Sequence, residues 1–269
     1  MSSNVISDAP PFARRVLVTG GAGFVGRRLA ALLARDRQVT VVDDLSAGLP
    51  MPEAGGNLAC HVGDIRDPAA MAALMADVSP QAVIHLAALH HIPSCENDPR
   101  RAMDINVVGF QTVLDACARA GCGRVVLASS GAVYDWGDGG ALDENASIRP
   151  CDVYSVTKAT NEQQLALWAA RTGGSGTIAR LFNLIGPNDP NGHLIPDILG
   201  RLSSAGAAPV RLRLGNLETR RDFVDVNDAA EAFAALLDRA PWRPAGTDTF
   251  NICSGREYTV PDIALKLAG

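Results

Sequence analysis

Short apolar runs alternate with stretches in which apolar side chains recur every three or four positions. The runs fall at residues 16–18, 39–42, 58–62, 82–86, 124–128 and 177–181. They are too short for helices and read as buried strands of a parallel sheet. Helical spacing marks 29–33, 68–76, 104–120 and 152–171, and Asp67-Pro68 is a ready start for the second of these. This alternation predicts crossover connections, hence an α/β fold with a doubly wound parallel sheet. Past Phe182 it fails. Residues 183–191 read as loop, 194–202 as a short helix, 210–214 and 222–224 as strands, 227–237 as a helix and 249–253 as a strand, and Pro261 opens a last helix. The pattern predicts a disordered tail at 1–13, a large α/β domain at 14–182 and a smaller mixed part at 183–269 closing over the sheet edge. The helix at 227–237 is placed to pack back on the large domain.

The first strand runs into Thr19-Gly20-Gly21-Ala22-Gly23-Phe24-Val25-Gly26, and the chain resumes as a helix. Glycines let the backbone turn sharply and approach a ligand, while free N–H groups and the helix dipole favour negative charge. A strand, a glycine turn and a helix N-terminus are the parts of a pyrophosphate cradle. The spacing fits Gly20-x-x-Gly23-x-x-Gly26 or Gly21-x-Gly23-x-x-Gly26. The second strand ends in Asp43, about 20 residues on, where an acid can hold the adenosine ribose of NAD. The candidate cofactor edge is therefore Gly20, Gly23, Phe24, Val25 and Gly26, followed by Asp43, Asp44, Leu45 and Ser46. Asp64 and Ile65 follow the third strand, where an adenine ring would meet a hydrogen bond and an apolar contact. Leu86, Ala87 and Ala88 follow the fourth, where small residues permit close approach, and Asn106 is placed to reach back toward it. Read blandly, the glycines make a tight turn and Asp43 is a solvated acid.

Residues 89–99 read as a loop beyond the fourth strand, at the edge where open parallel sheets bind ligands. Its His90 and Ser94 are candidates for a pocket wall, or else plain surface residues. His90 and His91 are too close for a helical two-histidine metal motif, and no metal site is expected. The fifth strand delivers Ser129 and Ser130 to the same edge. Tyr154 and Lys158 lie four apart on a helix and share a face. An adjacent ammonium favours phenolate, which would make the tyrosine an acid or base near neutral pH. The chain holds only two lysines and three tyrosines, so such a pair arises by chance about 0.02 times. In a chain that otherwise uses arginine, a lysine here points to a compact ammonium rather than a planar fork.

Composition narrows the classes. A net charge of −5 argues against a general nucleic-acid binder. Nothing approaches 18 uninterrupted apolar residues, so no membrane span is expected. The first 13 residues lack the basic start and apolar run of a signal peptide. The six cysteines (60, 95, 117, 122, 151, 253) form no Cys-x-x-Cys pair and read as reduced thiols of a cytoplasmic protein.

The glycine loop with Asp43, Tyr154-x-x-x-Lys158, and Ser130 four residues before Tyr134 together resemble the extended short-chain dehydrogenase/reductase family of nucleotide-sugar enzymes. The resemblance runs from about Arg15 to the C-terminus. It implies a Rossmann sheet with a small substrate-binding part, and NAD on Gly20, Gly23, Gly26, Asp43, Asp64 and Ile65. It implies Lys158 on the nicotinamide ribose, Tyr154 as base and Ser130 on the reacting sugar oxygen. Asn183 resembles the family's substrate asparagine, and Arg221 the arginine on the sugar nucleotide's diphosphate, a role suited to a bidentate guanidinium. Read from the residues alone, Arg221 is as well an ion-pair partner of Asp222 or Asp225. His193 and Leu194 complete the substrate candidates. A homodimer through helices 104–120 and 152–171 is implied as well.

Within the family, Ser130 is followed by Gly131-Ala132 rather than the acidic pair of 4,6-dehydratases, and the surroundings look more like UDP-sugar 4-epimerases. NAD-dependent C4 epimerisation of a nucleotide-diphosphate sugar through a 4-keto intermediate is the expectation. The stretch 215–222 resembles GDP-sugar members, which keeps a 4-keto-sugar reductase using NAD(P)H as the alternative. A catalytically silent NAD sensor or scaffold is the non-enzyme alternative, and it has no need of Ser130, Tyr154 and Lys158. The chain ends at Gly269, just into a helix, where relatives continue, so part of a substrate lid is expected to be missing.

Overall fold

A computed structural model describes residues 13–137, 140–189, 194–205 and 216–268. Most of the expected tail, the expected strand at 210–214 and His193 lie outside the described residues. Strand β1 (Arg15–Thr19) leads into α1 (Gly26–Leu33), then β2 (Gln38–Asp43) and β3 (Leu58–Val62). Helix α2 (Pro68–Val78) starts where Asp67 caps it through the Ala69 and Ala70 N–H groups, with Pro68 in its first turn. β4 (Ala82–His85) follows, then α3 (Ile92–Asn97) and α4 (Pro99–Met103). A π-helical turn (Asp104–Val108) runs on into α5 (Gly109–Ala120). β5 (Arg124–Ser130), α6 (Val153–Thr172) and β6 (Ser175–Leu181) complete the regular part. After it come β7 (Asn183–Ile185), α7 (Leu194–Ala205), β8 (Arg220–Asp225), α8 (Val226–Arg239), β9 (Gly246–Ile252), β10 (Glu257–Thr259) and α9 (Val260–Ala268).

The main sheet has the order β3-β2-β1-β4-β5-β6-β9, parallel throughout. Its chain order reverses between β1 and β4, which opens a crevice at the strands' C-terminal ends. Both faces are covered. Phe110, Val113, Leu114 and Trp168 pack on one face of the central strands, and Leu29, Leu33, Phe233 and Leu237 on the other. This two-sided burial is why the strands read as uniform apolar runs. Truncating Phe110 or Phe233, both fully buried, would cost about 3–5 kcal/mol.

Four expectations change. The loop at 89–99 contains helix α3, whose first turn holds Pro93 and whose interior buries Cys95. The helix expected from Asp104 begins earlier, with α4. Residues 183–185 form a strand rather than loop, because β7 lies parallel to β8 in a second sheet of order β10-β8-β7. The strand expected within the C-terminal part is β9, which joins the main sheet beside β6, with Ser175 opposite Gly246. Helix α8 packs against α1, and its Ala229, Ala230 and Phe233 sit in the same apolar layer as Val16 and Val18. The second sheet therefore sits apart from a main sheet that draws residues from both halves of the chain.

Candidate active site

Parallel strands deliver their C-terminal ends to one edge, so the loops after β1, β2, β4, β5 and β6 meet there. The loop after β1 is held shut by its neighbours. Gly20 N–H donates to the Val42 carbonyl at 2.9 Å, and Gly23 N–H to the Gly20 carbonyl at 3.1 Å. Asp43 closes the turn, its carboxylate accepting from Ala22 N–H at 3.0 Å and Leu45 N–H at 2.8 Å. Gly20 is in the left-handed region at φ +72°, and a Cβ on it would lie 2.7 Å from the Ala87 nitrogen. No side chain caps the start of α1, and its first turn holds no acid. A glycine cradle against an uncapped helix N-terminus, with a carboxylate beside it, fits a dinucleotide: pyrophosphate on the N–H groups, ribose on the acid.

The remaining candidates on this side divide. Asp44 and Ser46 are exposed, and the Asp44 carboxylate accepts from Ser46 N–H at 2.9 Å. Phe24 and Val25 are half-buried, and the Phe24 ring lies under the Arg28 guanidinium at 4.8 Å. Asp64 is engaged by Arg66 through both carboxylate oxygens, at 2.6 to 3.0 Å, and this pairing holds its carboxyl below the usual range. Ile65 is buried in the core. Leu86 N–H donates to the Thr19 carbonyl at 3.0 Å, and Ala87 and Ala88 are half-buried beyond it. Asn106 uses its whole amide inside the protein: it accepts from Leu89 N–H at 2.7 Å and donates to the Leu89 carbonyl and Thr157 Oγ1 at 2.9 and 3.0 Å. Its geometry is that of a clamp between the β4 loop and α6.

Helix α6 carries the chemistry. Asp152 and Ser155 form a reciprocal capping box at its start, and Glu96 accepts from Val153 N–H at 2.8 Å. Tyr154 and Lys158 both face β5. The Tyr154 phenol lies near enough to the Ser130 hydroxyl to feel its pull, and Ser130 also caps a tight turn by accepting from Ala132 N–H at 3.1 Å. Lys158, 3% exposed, donates from Nζ to the Ala128 carbonyl at 2.9 Å. Burial pushes this ammonium down to about 8. Burial likewise pushes the Tyr154 phenol up to about 12, against the opposing pull of the Ser130 hydrogen bond. The expectation of a phenol lowered by its lysine is therefore corrected. Nζ stands 5.7 Å from the centre of the ring and is directed to a backbone carbonyl, while desolvation dominates.

On the substrate side, His90 is exposed, and Ser94 Oγ is hydrogen-bonded to His91 Nδ1 at 2.8 Å, at the start of α3. Asn183 Nδ2 donates to the Asp222 carbonyl at 3.0 Å, which ties β7 to β8. Arg221 is exposed, with Nη1 on the Arg220 carbonyl at 2.9 Å. Asp222 and Asp225 use their carboxylates on backbone N–H groups instead: those of Ser254 and Arg256 for the first, Asn227 for the second. Leu194 opens α7 and is half-buried.

Sequence reading missed the residues behind the pair. Cys95 is buried and donates weakly to the Leu89 carbonyl at 3.4 Å, and its thiol is close enough to act on both Tyr154 and Lys158. Glu162 accepts from Ser129 Oγ at 2.5 Å and from Arg180 Nε and Nη2 at 3.0 and 2.7 Å. The spacing of Tyr154, Lys158 and Glu162, four residues each, was the available signal for the last.

The family model for the NAD dependent epimerase/dehydratase family matches residues 16–253. A GDP-6-deoxy-D-mannose reductase of Pseudomonas aeruginosa is 32% identical over 95% of this chain and 79% of its own length. A UDP-glucose 4-epimerase of Neisseria gonorrhoeae is 30% identical over 92% of this chain and 80% of its own. Among solved structures, a Thermus thermophilus UDP-glucose 4-epimerase in complex with NAD superposes with a TM-score of 0.83 at 28% identity, covering 94% of this chain and 82% of that one. MoeE5 in complex with UDP-glucose and NAD does so with a TM-score of 0.81 at 31% identity, covering 94% and 81%. With an intact glycine cradle and a family match over most of its length, this chain belongs to the NAD dependent epimerase/dehydratase family.

Proposed function

We propose that the chain catalyses NAD-dependent epimerisation at C4 of a nucleotide-diphosphate sugar. The observation that carries this reading is the hydroxyl pair Ser130–Tyr154 beside a buried ammonium, at the edge that also presents the glycine cradle. When bound, NAD supplies the hydride acceptor and donor and, when oxidised, a positive charge. With the positive charge of oxidised NAD in place beside Lys158, Tyr154 would act as phenolate: it takes the proton of the C4 hydroxyl to become the phenol, and gives that proton back when the alcohol re-forms. Ser130 holds that oxygen in line with the tyrosine, and Lys158 stabilises the phenolate with which the cycle begins and ends. Asn183 and Arg221 are the proposed contacts to the sugar nucleotide, and the exposed guanidinium is free to turn toward a diphosphate.

Asp43 supports NAD rather than a 2′-phosphorylated dinucleotide. Its carboxylate is fixed by two N–H groups beside the ribose position and would repel a phosphate there. Elimination of water is disfavoured because the turn after Ser130 is Gly131-Ala132 and brings no carboxylate. A second reading, reduction of a 4-keto nucleotide sugar, is favoured by the arginine-rich segment at Arg220-Arg221 and by the reductase relative.

Denaturing the purified protein and identifying what it releases separates the two. Stoichiometric NAD⁺ that survived gel filtration is the expected result and indicates a recycling cofactor. An empty protein that binds NADPH reversibly would overturn epimerisation in favour of the reductase.

A further inference from the structure

Three successive residues of β5 are each held by a residue of α6. Ala128 offers its carbonyl to Lys158, Ser129 its hydroxyl proton to Glu162, and Ser130 stands beside Tyr154. Only the outer two contacts belong to the acid–base pair. The middle one is buried as well, with Ser129 at 2% and Glu162 at 4% exposed. A buried carboxylate is costly unless it is paired and hydrogen-bonded, and Glu162 is both. Arg180 of β6 grips it with two nitrogens, and its guanidinium lies 4.6 Å from the centre of the Tyr134 ring. Tyr134 in turn donates to Asn251 of β9 at 2.7 Å.

The groups that face Lys158 are Tyr154 and Glu162 on α6, Cys95 on α3 and His85 on β4. Burial keeps the Cys95 thiol and the Tyr154 phenol protonated and the His85 imidazole neutral. Of these four, Glu162 alone stands in an ion pair, with Arg180 Nη2 at 2.7 Å.

We propose that Glu162 is the positioning residue of the acid–base pair: anchored by Ser129 and Arg180, its carboxylate registers α6 on β5 and serves as the counter-charge that keeps Lys158 an ammonium. This rests on the reading of Tyr154 and Lys158 as that pair. Glu162 touches neither substrate nor cofactor and acts through Lys158.

The chain has two lysines, Lys158 and Lys266, so selective ¹³C-lysine labelling gives two assignable side-chain signals. In Glu162→Gln the Lys158 titration midpoint is expected to fall by about one unit while Lys266, exposed on α9, stays put. The alkaline limb of kcat should move down with it, at little change in KM. A folded Glu162→Gln protein with an unmoved Lys158 midpoint overturns the proposal. Should that variant not fold, Glu162→Gln combined with Arg180→Met removes both charges, a replacement buried pairs often tolerate. Its Lys158 midpoint is expected to fall as well, by less, and an unmoved midpoint again overturns the proposal. Wild-type protein that turns over no nucleotide sugar would overturn the proposed function instead, and the lysine titration would still decide this one.

Discussion

Lys158 Nζ donates to the Ala128 carbonyl at 2.9 Å, with the side chain 3% exposed, so an ammonium is pinned to the end of a central strand inside the protein. Burial lowers it from 10.5 to about 8. At neutral pH the group is charged in both folded and unfolded chains, and the folded state carries the desolvation penalty. Between about pH 8 and 10.5 the unfolded chain holds the extra proton, so this contribution to stability rises with pH and is complete above that window. Lys158→Met should therefore stabilise the protein at pH 7, by roughly 3 kcal/mol at most, while abolishing turnover. Thermal melts of both proteins at pH 7 and pH 10.5 check it: the gain should shrink at the higher pH.

Tyr154→Phe removes the proton carrier and leaves the glycine cradle intact. Turnover should drop by about 10²–10⁴ with NAD retained. Ser130→Ala removes the hydroxyl partner of Tyr154 and also the turn cap on Ala132 N–H. A loss of about 1 kcal/mol in stability is expected alongside a reduced kcat. Single-turnover kinetics with a UDP- and GDP-hexose panel reads both. Undiminished turnover in Tyr154→Phe would remove this residue from the mechanism.

What the sequence made legible follows from physics that is local. Buried parallel strands appear as apolar runs, and a four-residue spacing puts Tyr154 and Lys158 on one face whatever surrounds them. Non-local facts were hidden. β9 pairs with β6 across the whole C-terminal segment, and nothing in Thr249 to Cys253 says which sheet it joins. The short α3 was obscured by Pro93, which fits a first helical turn as readily as a loop. The Tyr154 phenol was misjudged because the lysine beside it is visible in the sequence and the burial is not. Asn106 lies beside the β4 loop with its amide committed to Leu89 and Thr157, partners that only the fold brings together.

Asp43 does two jobs, and the ratio of affinities for two nucleotides tells them apart. Its oxygens brace the loop through Ala22 and Leu45 N–H, and its charge would repel a 2′-phosphate. Asp43→Asn loses the charge and keeps one of the two acceptors, so affinity for both nucleotides should weaken with the brace while their ratio reports the charge. The ratio of NADP to NAD affinity should rise at least about tenfold, some 1.4 kcal/mol, measured by calorimetric titration of protein stripped of nucleotide. An unchanged ratio would leave bracing as the only role of the acid.

The loop's glycines should also split by function. A Cβ on Gly26 would run into the Gly20 oxygen and lie 2.8 Å from Gly21 Cα, all of it backbone that cannot swing aside. Gly26→Ala must therefore distort the turn that starts α1, and loss of folded protein is expected, by several kcal/mol of strain. A Cβ on Gly23 meets one atom, the Gly20 oxygen, at 3.1 Å, a contact that a few tenths of an ångström relieves. Gly23 is not in the left-handed region, so alanine suits its backbone. Gly23→Ala should then melt within a few degrees of the parent. Its methyl group would instead stand beside the uncapped N–H groups of α1, where a pyrophosphate must approach closely. NAD affinity is expected to fall by more than tenfold in a protein that remains folded. Circular dichroism melts with NAD titration on the same samples distinguish the cases. A Gly23→Ala protein that binds NAD as the parent does would mean that the dinucleotide does not lie against this turn.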